Sequence, residues 1–178
     1  MRNEQLNSYF RMLEDDGWTY FYHGAQQGTD WWKLRFKTPE RRIELYVSLG
    51  KDCLLWQMPM LNDPPTPSCW LALYRYLLQV NHEIKLAKFT LDSDNRIWMV
   101  VEILTTTCSY ATIKAVLTAM RVYFEHYHRE IEMLATNVEL ARAWLSLLPQ
   151  SDDLDITIVR SDSEEHATGV ELQQRSGP

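Results

Sequence analysis

Residues 70–104 constrain the fold of this chain more than any other stretch. They read WLALYRYLLQVNHEIKLAKFTLDSDNRIWMVVEIL. Apolar residues recur at helical spacing as far as Asn81, and two β-rich runs joined by the polar turn at residues 92–95 follow at once. We therefore predict an α+β fold, in which helices pack on one face of an antiparallel β-sheet.

The flanking sequence extends this pattern in both directions. Helical spacing predicts helices over residues 4–16, 67–82, 109–135 and 138–148. Alternation predicts strands over residues 18–24, 30–36, 41–49, 53–58, 85–91 and 96–104. The last strand is apolar at nearly every position, which predicts a central strand covered on both faces. Gly17 and Asn81 are predicted to end their helices in a left-handed conformation.

Composition indicates one folded domain and a tail. With 178 residues, 46% of them hydrophobic, the chain can bury one full-sized core. Residues 150–178 hold seven acids and two arginines, so this segment carries −5 of the net charge of −6. We predict a single domain over residues 1–148 and an acidic, disordered tail over residues 149–178 that adds nothing to the fold.

Charge and hydropathy exclude several classes of partner. A body with a net charge of −1 lacks the clustered bases of a nucleic-acid binder, and strand alternation spreads the bases around Trp31 and Trp32 over two faces. No apolar run approaches the roughly 20 residues that span a bilayer, and no secretory signal follows Met1. We predict a cytoplasmic protein with neither a nucleic-acid nor a membrane partner.

The chain carries no recognisable motif for catalysis or for cofactor binding. GxSxG, HExxH, GxGxxG, Walker-type and paired CxxC motifs are absent, and three cysteines are too few for a disulfide framework or a zinc site. The i, i+4 pairs His126–Glu130 and His128–Glu132 are typical of a solvated helix face. We therefore expect no catalytic, cofactor-binding or metal-binding residues.

The third predicted helix has an apolar stripe at alternating spacings of four and three residues. Such a 3.5-residue period is typical of a straight seam between two helices. It predicts a homodimer, with the seam on this helix or on the short helix at 138–148. The competing interpretation is that the stripe packs on the protein's own sheet. The seam residues are Ile113, Leu117, Met120, Phe124, Tyr127 and Ile131.

Helices on one face of a sheet leave its other face for a partner. Along the predicted strands, five outward positions combine aromatic rings with bases, and such residues often anchor protein interfaces. These positions are Trp31, Lys33, Arg35, Arg42 and Tyr46. The competing interpretation is that another strand, the tail or a dimer mate covers this face.

Residues 77–104, LLQVNHEIKLAKFTLDSDNRIWMVVEIL, resemble the YbjN-type family, which has the type III secretion chaperone-like fold. The shared pattern is a helix ending in Leu-Leu-x-x-Asn, a strand of the form Lys-Phe-x-Leu-Asp, a polar turn, an apolar strand and a helix. The resemblance covers about residues 4–135. It implies a non-enzymatic domain, often dimeric, that acts as a chaperone or a regulator.

We therefore predict a non-catalytic, protein-binding module, chaperone-like or regulatory, that docks a protein partner and needs no cofactor. The alternative is an enzyme or a small-molecule-binding protein with an unrecognised pocket. Glu102, inside an apolar strand, distinguishes the two, because a buried acid with a raised pKa would favour an enzyme.

Overall fold

The computed structural model describes residues 3–26, 29–37, 42–61 and 63–148, which lie in the first of the two units of the chain, Met1–Leu148. The elements in chain order are α1 (Asn3–Glu14), β1 (Trp18–Gln26), β2 (Thr29–Lys37), β3 (Arg42–Leu49), β4 (Cys53–Pro59), α2 (Trp70–Glu83), β5 (Lys88–Leu91), β6 (Ile97–Leu104), α3 (Tyr110–Thr136) and α4 (Val138–Ser146). The tail predicted over residues 149–178 lies outside the described residues.

The six strands form one sheet in the order β1-β2-β3-β4-β6-β5, with every neighbouring pair antiparallel. The first four strands follow one another along the sheet. After α2 the chain enters the far edge as β5, and β6 returns between β5 and β4. Among the described strands, the two edges are therefore β1 and β5.

The inner face of the sheet forms the core. Alternate residues of β2, β3, β4 and β6 are buried on this face, and they pack with buried residues of α1, α2 and α3. The largest of these side chains are Trp32, Trp56 and Phe10, each at most 1% exposed. The predicted α+β fold with helices on one face of an antiparallel sheet is confirmed.

The prediction that the strand at 96–104 is covered on both faces is wrong. Its inward residues are buried, but Trp98 and Val100 are half-buried and Glu102 and Leu104 are exposed on the other face. No described helix lies over that face. The apolar outward residues of β6 therefore contribute to an open surface.

Helix α1 lies where the sequence predicts a helix, although it ends at Glu14 rather than at residue 16. Leu6, Phe10 and Leu13 are its buried residues, at the spacing of one helical face. Gly17 takes a φ of +83° and donates its N–H to the Glu14 carbonyl oxygen at 3.0 Å. A residue with a side chain is strained at this φ, so glycine allows the chain to turn into β1.

The apolar stripe of α3 packs inside the chain's own core. Ile113, Leu117, Met120, Phe124 and Ile131 are at most 6% exposed, and Tyr127 packs against the same cluster while half-buried. The stripe therefore has a partner within one chain, as the competing interpretation expected. These side chains could meet a second copy only if the core opened.

Side-chain hydrogen bonds cap the start of α3 and the junction between α3 and α4. The Ser109 hydroxyl oxygen accepts the Thr112 N–H at 3.1 Å at the start of α3. Asn137 donates its N–H to the Met133 carbonyl oxygen, and its side-chain oxygen accepts the Leu140 N–H at 3.0 Å. One asparagine thus ends α3 and begins α4, which explains the break predicted there.

Asn81 has a different role from the predicted left-handed helix end. Helix α2 continues through Asn81 to Glu83, and the left-handed backbone occurs later, at Leu86 with a φ of +68°. The Asn81 side chain instead accepts the Phe89 N–H at 2.7 Å and donates to the Phe89 carbonyl oxygen at 3.0 Å. This clamp places β5 beside α2, and the turn at Leu86 delays the strand to Lys88.

Asp92 organises the turn of the β5–β6 hairpin. Its carboxylate accepts the backbone N–H groups of Asp94 and Arg96, the Arg96 Nε–H and the Trp98 indole N–H, all at 2.8–2.9 Å. Desolvation alone would raise the pKa of Asp92, but these hydrogen bonds outweigh it and lower the pKa well below its usual value. The last residue of each family pattern therefore holds the hairpin through side-chain hydrogen bonds: Asn81 binds Phe89, and Asp92 binds the turn that follows it.

Candidate partner-binding face of the sheet

The helices leave the second face of the sheet uncovered in the described part of the chain. We call this face the outer face. It is formed by the outward side chains of β1 to β6, which include Phe21, Trp31, Lys33, Arg35, Arg42, Glu44, Tyr46, Leu55, Gln57, Trp98, Val100 and Glu102. Most are half-buried or exposed, and Ser48 is the buried polar residue among them. The helix-free face is therefore both apolar and charged.

A three-residue charge network lies on β2 and β3. Lys33 and Arg35 both form ion pairs with Glu44, and the Arg35 Nε to Glu44 Oε1 distance is 2.7 Å. Burial alone would raise the pKa of Glu44, but the hydrogen bonds from Lys33 and Arg35 outweigh it and lower the pKa. Glu44 stays ionised at neutral pH and holds both basic side chains against the sheet.

Aromatic rings flank this network. The Lys33 Nζ lies 5.4 Å from the centre of the Tyr46 ring, and the Arg35 guanidinium carbon lies 5.0 Å from the centre of the Phe21 ring. The Tyr46 ring also meets the Trp98 ring edge-on at a centroid distance of 6.1 Å. The rings and bases therefore form one continuous patch from β1 to β6.

The structure places all five predicted partner-binding residues on the outer face. Trp31, Lys33 and Arg35 pair across the ladder with Ser48, Tyr46 and Glu44, and Arg42 is exposed at the end of β3. Trp31 is half-buried, so it is less open than a free surface residue. The five residues thus share one face, with Trp31 and Arg42 six positions apart along the β2–β3 ladder, and the prediction that alternation spreads the bases near Trp31 over two faces is wrong for Lys33, Arg35 and Arg42. Their binding of a partner stays a prediction.

The sequence of this chain matches a protein-family model. The YbjN model, described as "Putative bacterial sensory transduction regulator", matches residues 10–133. This chain belongs to the YbjN family. The resemblance predicted from residues 77–104 is confirmed, and the match spans α1 to nearly the end of α3.

Two further comparisons add little to the YbjN assignment. A search of curated proteins found no match. Among solved structures, the crystal structure of the ExsC-ExsE complex is similar, with 15% sequence identity and a TM-score of 0.42 over 55% of this chain and 74% of that one. A likeness at this level carries no argument about the function of this chain.

Three residues of the YbjN outer face were missed by the sequence prediction, namely Phe21, Glu44 and Trp98. Glu44 lies between two bases on the neighbouring strand, and the strand pairing that joins them is invisible in sequence. Alternation within β1 and β6 was the available signal, because Phe21 and Trp98 alternate with inward residues. The apolar run of β6 concealed that alternation.

Glu102, the acid on which the enzymatic alternative depends, lies at the surface of this YbjN chain. Glu102 is exposed on the outer face, where it hydrogen bonds to the Cys53 thiol. Desolvation and then this contact raise the pKa of Cys53. Within residues 3–26, 29–37, 42–61 and 63–148, no group of three or more His, Cys, Asp or Glu side chains could hold a metal ion, and no helix is both long and apolar enough to cross a bilayer.

Proposed function

We propose that this YbjN-family protein is a non-catalytic, protein-binding module of the cytoplasm, chaperone-like or regulatory, that docks a partner protein on its outer face. One observation carries the proposal. The four described helices pack on or behind the inner face, and the outer face presents half-buried aromatic rings beside basic side chains. Such residues supply much of the binding energy in protein interfaces.

The charge of this face indicates the chemistry of the partner. Glu44 balances one of the two bases it contacts, and Arg42 adds another exposed base. A partner segment with apolar anchors and nearby acids would match the rings and the remaining positive charge. The family description as a sensory transduction regulator supports a role through protein contacts rather than chemistry.

The double variant Trp31→Ala with Arg42→Ala tests this proposal. We expect it to fold and to lose a partner that the wild-type protein retains, because it removes one aromatic and one cationic anchor. The measurement is affinity capture from the native cell with quantitative mass spectrometry, followed by binding of the purified partner to each variant. The matched control is Arg11→Ala with Met12→Ala, a base and an apolar residue exposed on α1.

The comparison between these two variants decides the outcome. Loss with the outer-face variant and retention with the α1 variant would support docking on the sheet. Equal capture of the purified partner by both variants would contradict it. A turnover that the purified protein catalyses, unaffected by the outer-face variant, would favour the enzymatic alternative.

We also propose that the protein is a homodimer, with the seam on α2 and α4 rather than on the stripe of α3. Leu71 and Leu78 of α2 are 62% and 68% exposed, Leu140 of α4 is 37% exposed, and Leu147, which directly follows α4, is 82% exposed. Leu71 and Leu78 are seven residues apart, so they share one side of α2. The two helices contact each other through Tyr76 and Trp144, whose ring centroids are 6.0 Å apart.

Leu71→Glu combined with Leu78→Glu should convert this dimer to a monomer. Two exposed leucines support little of the monomer's own core, whereas two glutamates in an apolar seam are costly. Light scattering at micromolar concentration should give twice the chain mass of 21.1 kDa for the wild type and the single mass for the variant. Met12→Glu on α1 is the control that should stay dimeric, and a monomeric wild type would refute the seam.

A further inference from the structure

A cleft on the inner side of the sheet lies apart from the outer face. It is located between the end of α1 and the first half of α3, over the ends of β1 and β2. Its volume is about 210 Å³, and Leu13, Trp18 and Phe36 supply apolar walls. Lys114 and Arg121 line it from α3, and Asp16 lines it from the end of α1. We call it the α1–α3 cleft.

The acid in the α1–α3 cleft already has a cation. The Lys114 Nζ lies 3.0 Å from Asp16 Oδ2, and the Tyr110 hydroxyl donates to the same oxygen at 3.3 Å. The hydrogen bond from Lys114 is the main reason that the pKa of Asp16 is lowered. Asp16 is thus ionised at neutral pH, and its charge is matched by Lys114.

Arg121 is the cation in this cleft that has no anion among the described residues. Its guanidinium carbon lies 5.4 Å from the centre of the Phe36 ring, and its Nε is shielded from solvent without a hydrogen-bond acceptor in the described part of the chain. A half-buried guanidinium with an unused donor is unfavourable. The cleft therefore has one more positive charge than negative and one unsatisfied donor.

We propose that the α1–α3 cleft binds a carboxylate attached to an apolar group. A planar guanidinium matches a carboxylate with two parallel hydrogen bonds, and the walls around Trp18 and Phe36 suit an aromatic or branched hydrocarbon body. Pockets for drug-sized ligands measure about 300–1,000 Å³. The smaller cleft suits a ligand about as large as one amino-acid side chain.

The carboxylate has two possible sources that share this chemistry, a free organic acid and the C-terminus of a peptide with an apolar last residue. Because the cleft lies on the helix side of the sheet, the proposal does not rest on docking at the outer face. Occupation of the cleft would add to the existing contacts between the end of α1 and α3, and it would let a small molecule or a peptide end act on this binding module.

Calorimetry or NMR titration of the full chain with 3-phenylpropionate and with 3-phenylpropanamide tests the charge requirement. We expect the acid to bind at least about tenfold more tightly than the neutral amide, because a hydrogen bond to a charged group contributes enough for that ratio. Acetylated dipeptides ending in phenylalanine, as free acid and as amide, form the second arm. Tighter binding of the peptide acid than of the free acid would assign the ligand to a peptide end.

Arg121→Met, which keeps an apolar stem, should weaken binding of the acid by about tenfold or more and leave the amide unchanged. The matched control is Arg142→Met on α4, an exposed arginine paired with Glu139 at 3.0 Å. The comparison of the acid with the amide uses the wild-type protein, so its result does not depend on whether a variant folds. Equal binding of acid and amide, competition by inorganic phosphate as strong as that by the acid, or no binding of any probe at millimolar concentration would overturn the proposal.

Discussion

Trp32→Ala will lower the free energy of unfolding by about 3–5 kcal/mol, the usual cost of truncating a large buried aromatic residue. Trp32 is 0% exposed, packs against the ring of Phe10 at a centroid distance of 5.8 Å, and donates its indole N–H to the Asn7 side-chain oxygen at 2.8 Å. Alanine would leave a cavity in the core and remove the hydrogen-bond donor to the half-buried Asn7 side chain. Urea unfolding followed by circular dichroism measures the change.

The neighbouring residue supplies the matched control. Trp31 is adjacent in β2 but points to the outer face, where it is half-buried. We expect Trp31→Ala to cost roughly 1 kcal/mol, as partly exposed substitutions do. Equal costs for the two variants would mean that something covers the outer face as completely as the helices cover the inner one, and the proposed docking site would then be lost.

Met120→Glu will strongly destabilise the fold and shift the unfolding transition to a much lower urea concentration. Met120 is 0% exposed in the middle of α3, and a charge buried there without a partner costs on the order of 4 kcal/mol or more. That is a large part of the 5–15 kcal/mol that typically stabilises a domain. The far-ultraviolet circular dichroism of the purified variant, before and after addition of urea, measures the loss.

Val122→Glu separates this core from a surface on the same helix. Val122 is 49% exposed, so the free energy of unfolding of this variant should stay within about 0.5 kcal/mol of the wild-type value. A monomeric Met120→Glu protein with the wild-type unfolding midpoint would instead show that the stripe of α3 is an intermolecular seam. That result would restore the dimer seam predicted from the 3.5-residue period.

The sequence predicted the elements and the direction of most side chains, because both depend on local periodicity. Alternation alone predicts that Trp31 points outward, and the resemblance to the YbjN family depends on residues 77–104. What covers a given face depends on the whole chain. The run around Val100 is apolar enough for a fully covered strand, yet no described element reaches its outer side.

The α3 stripe illustrates the same limit. A 3.5-residue period predicts a straight apolar stripe along a helix. Such a stripe can pack either against a second helix or against a long sheet. The α1–α3 cleft was also beyond prediction, because Arg121 and Phe36 are 85 positions apart in the chain and meet only after the sheet forms. The hydrogen bonds between Asn81 and Phe89 lie within residues 77–104, the segment that resembles the YbjN family. The sequence pattern does not indicate which of its polar groups form hydrogen bonds with one another.

The Asn81 clamp also determines how the sheet ends. In an antiparallel strand the N–H and carbonyl of one residue point to the same side, so the two groups of Phe89 that bind Asn81 face away from β6. Those are the groups an added strand from another molecule would use. An asparagine amide on a helix therefore occupies the outward backbone groups of Phe89 as a neighbouring strand would, which hinders edge-to-edge pairing at this point of β5. Among the described strands, growth of the sheet by a further strand is left to β1, at the opposite edge.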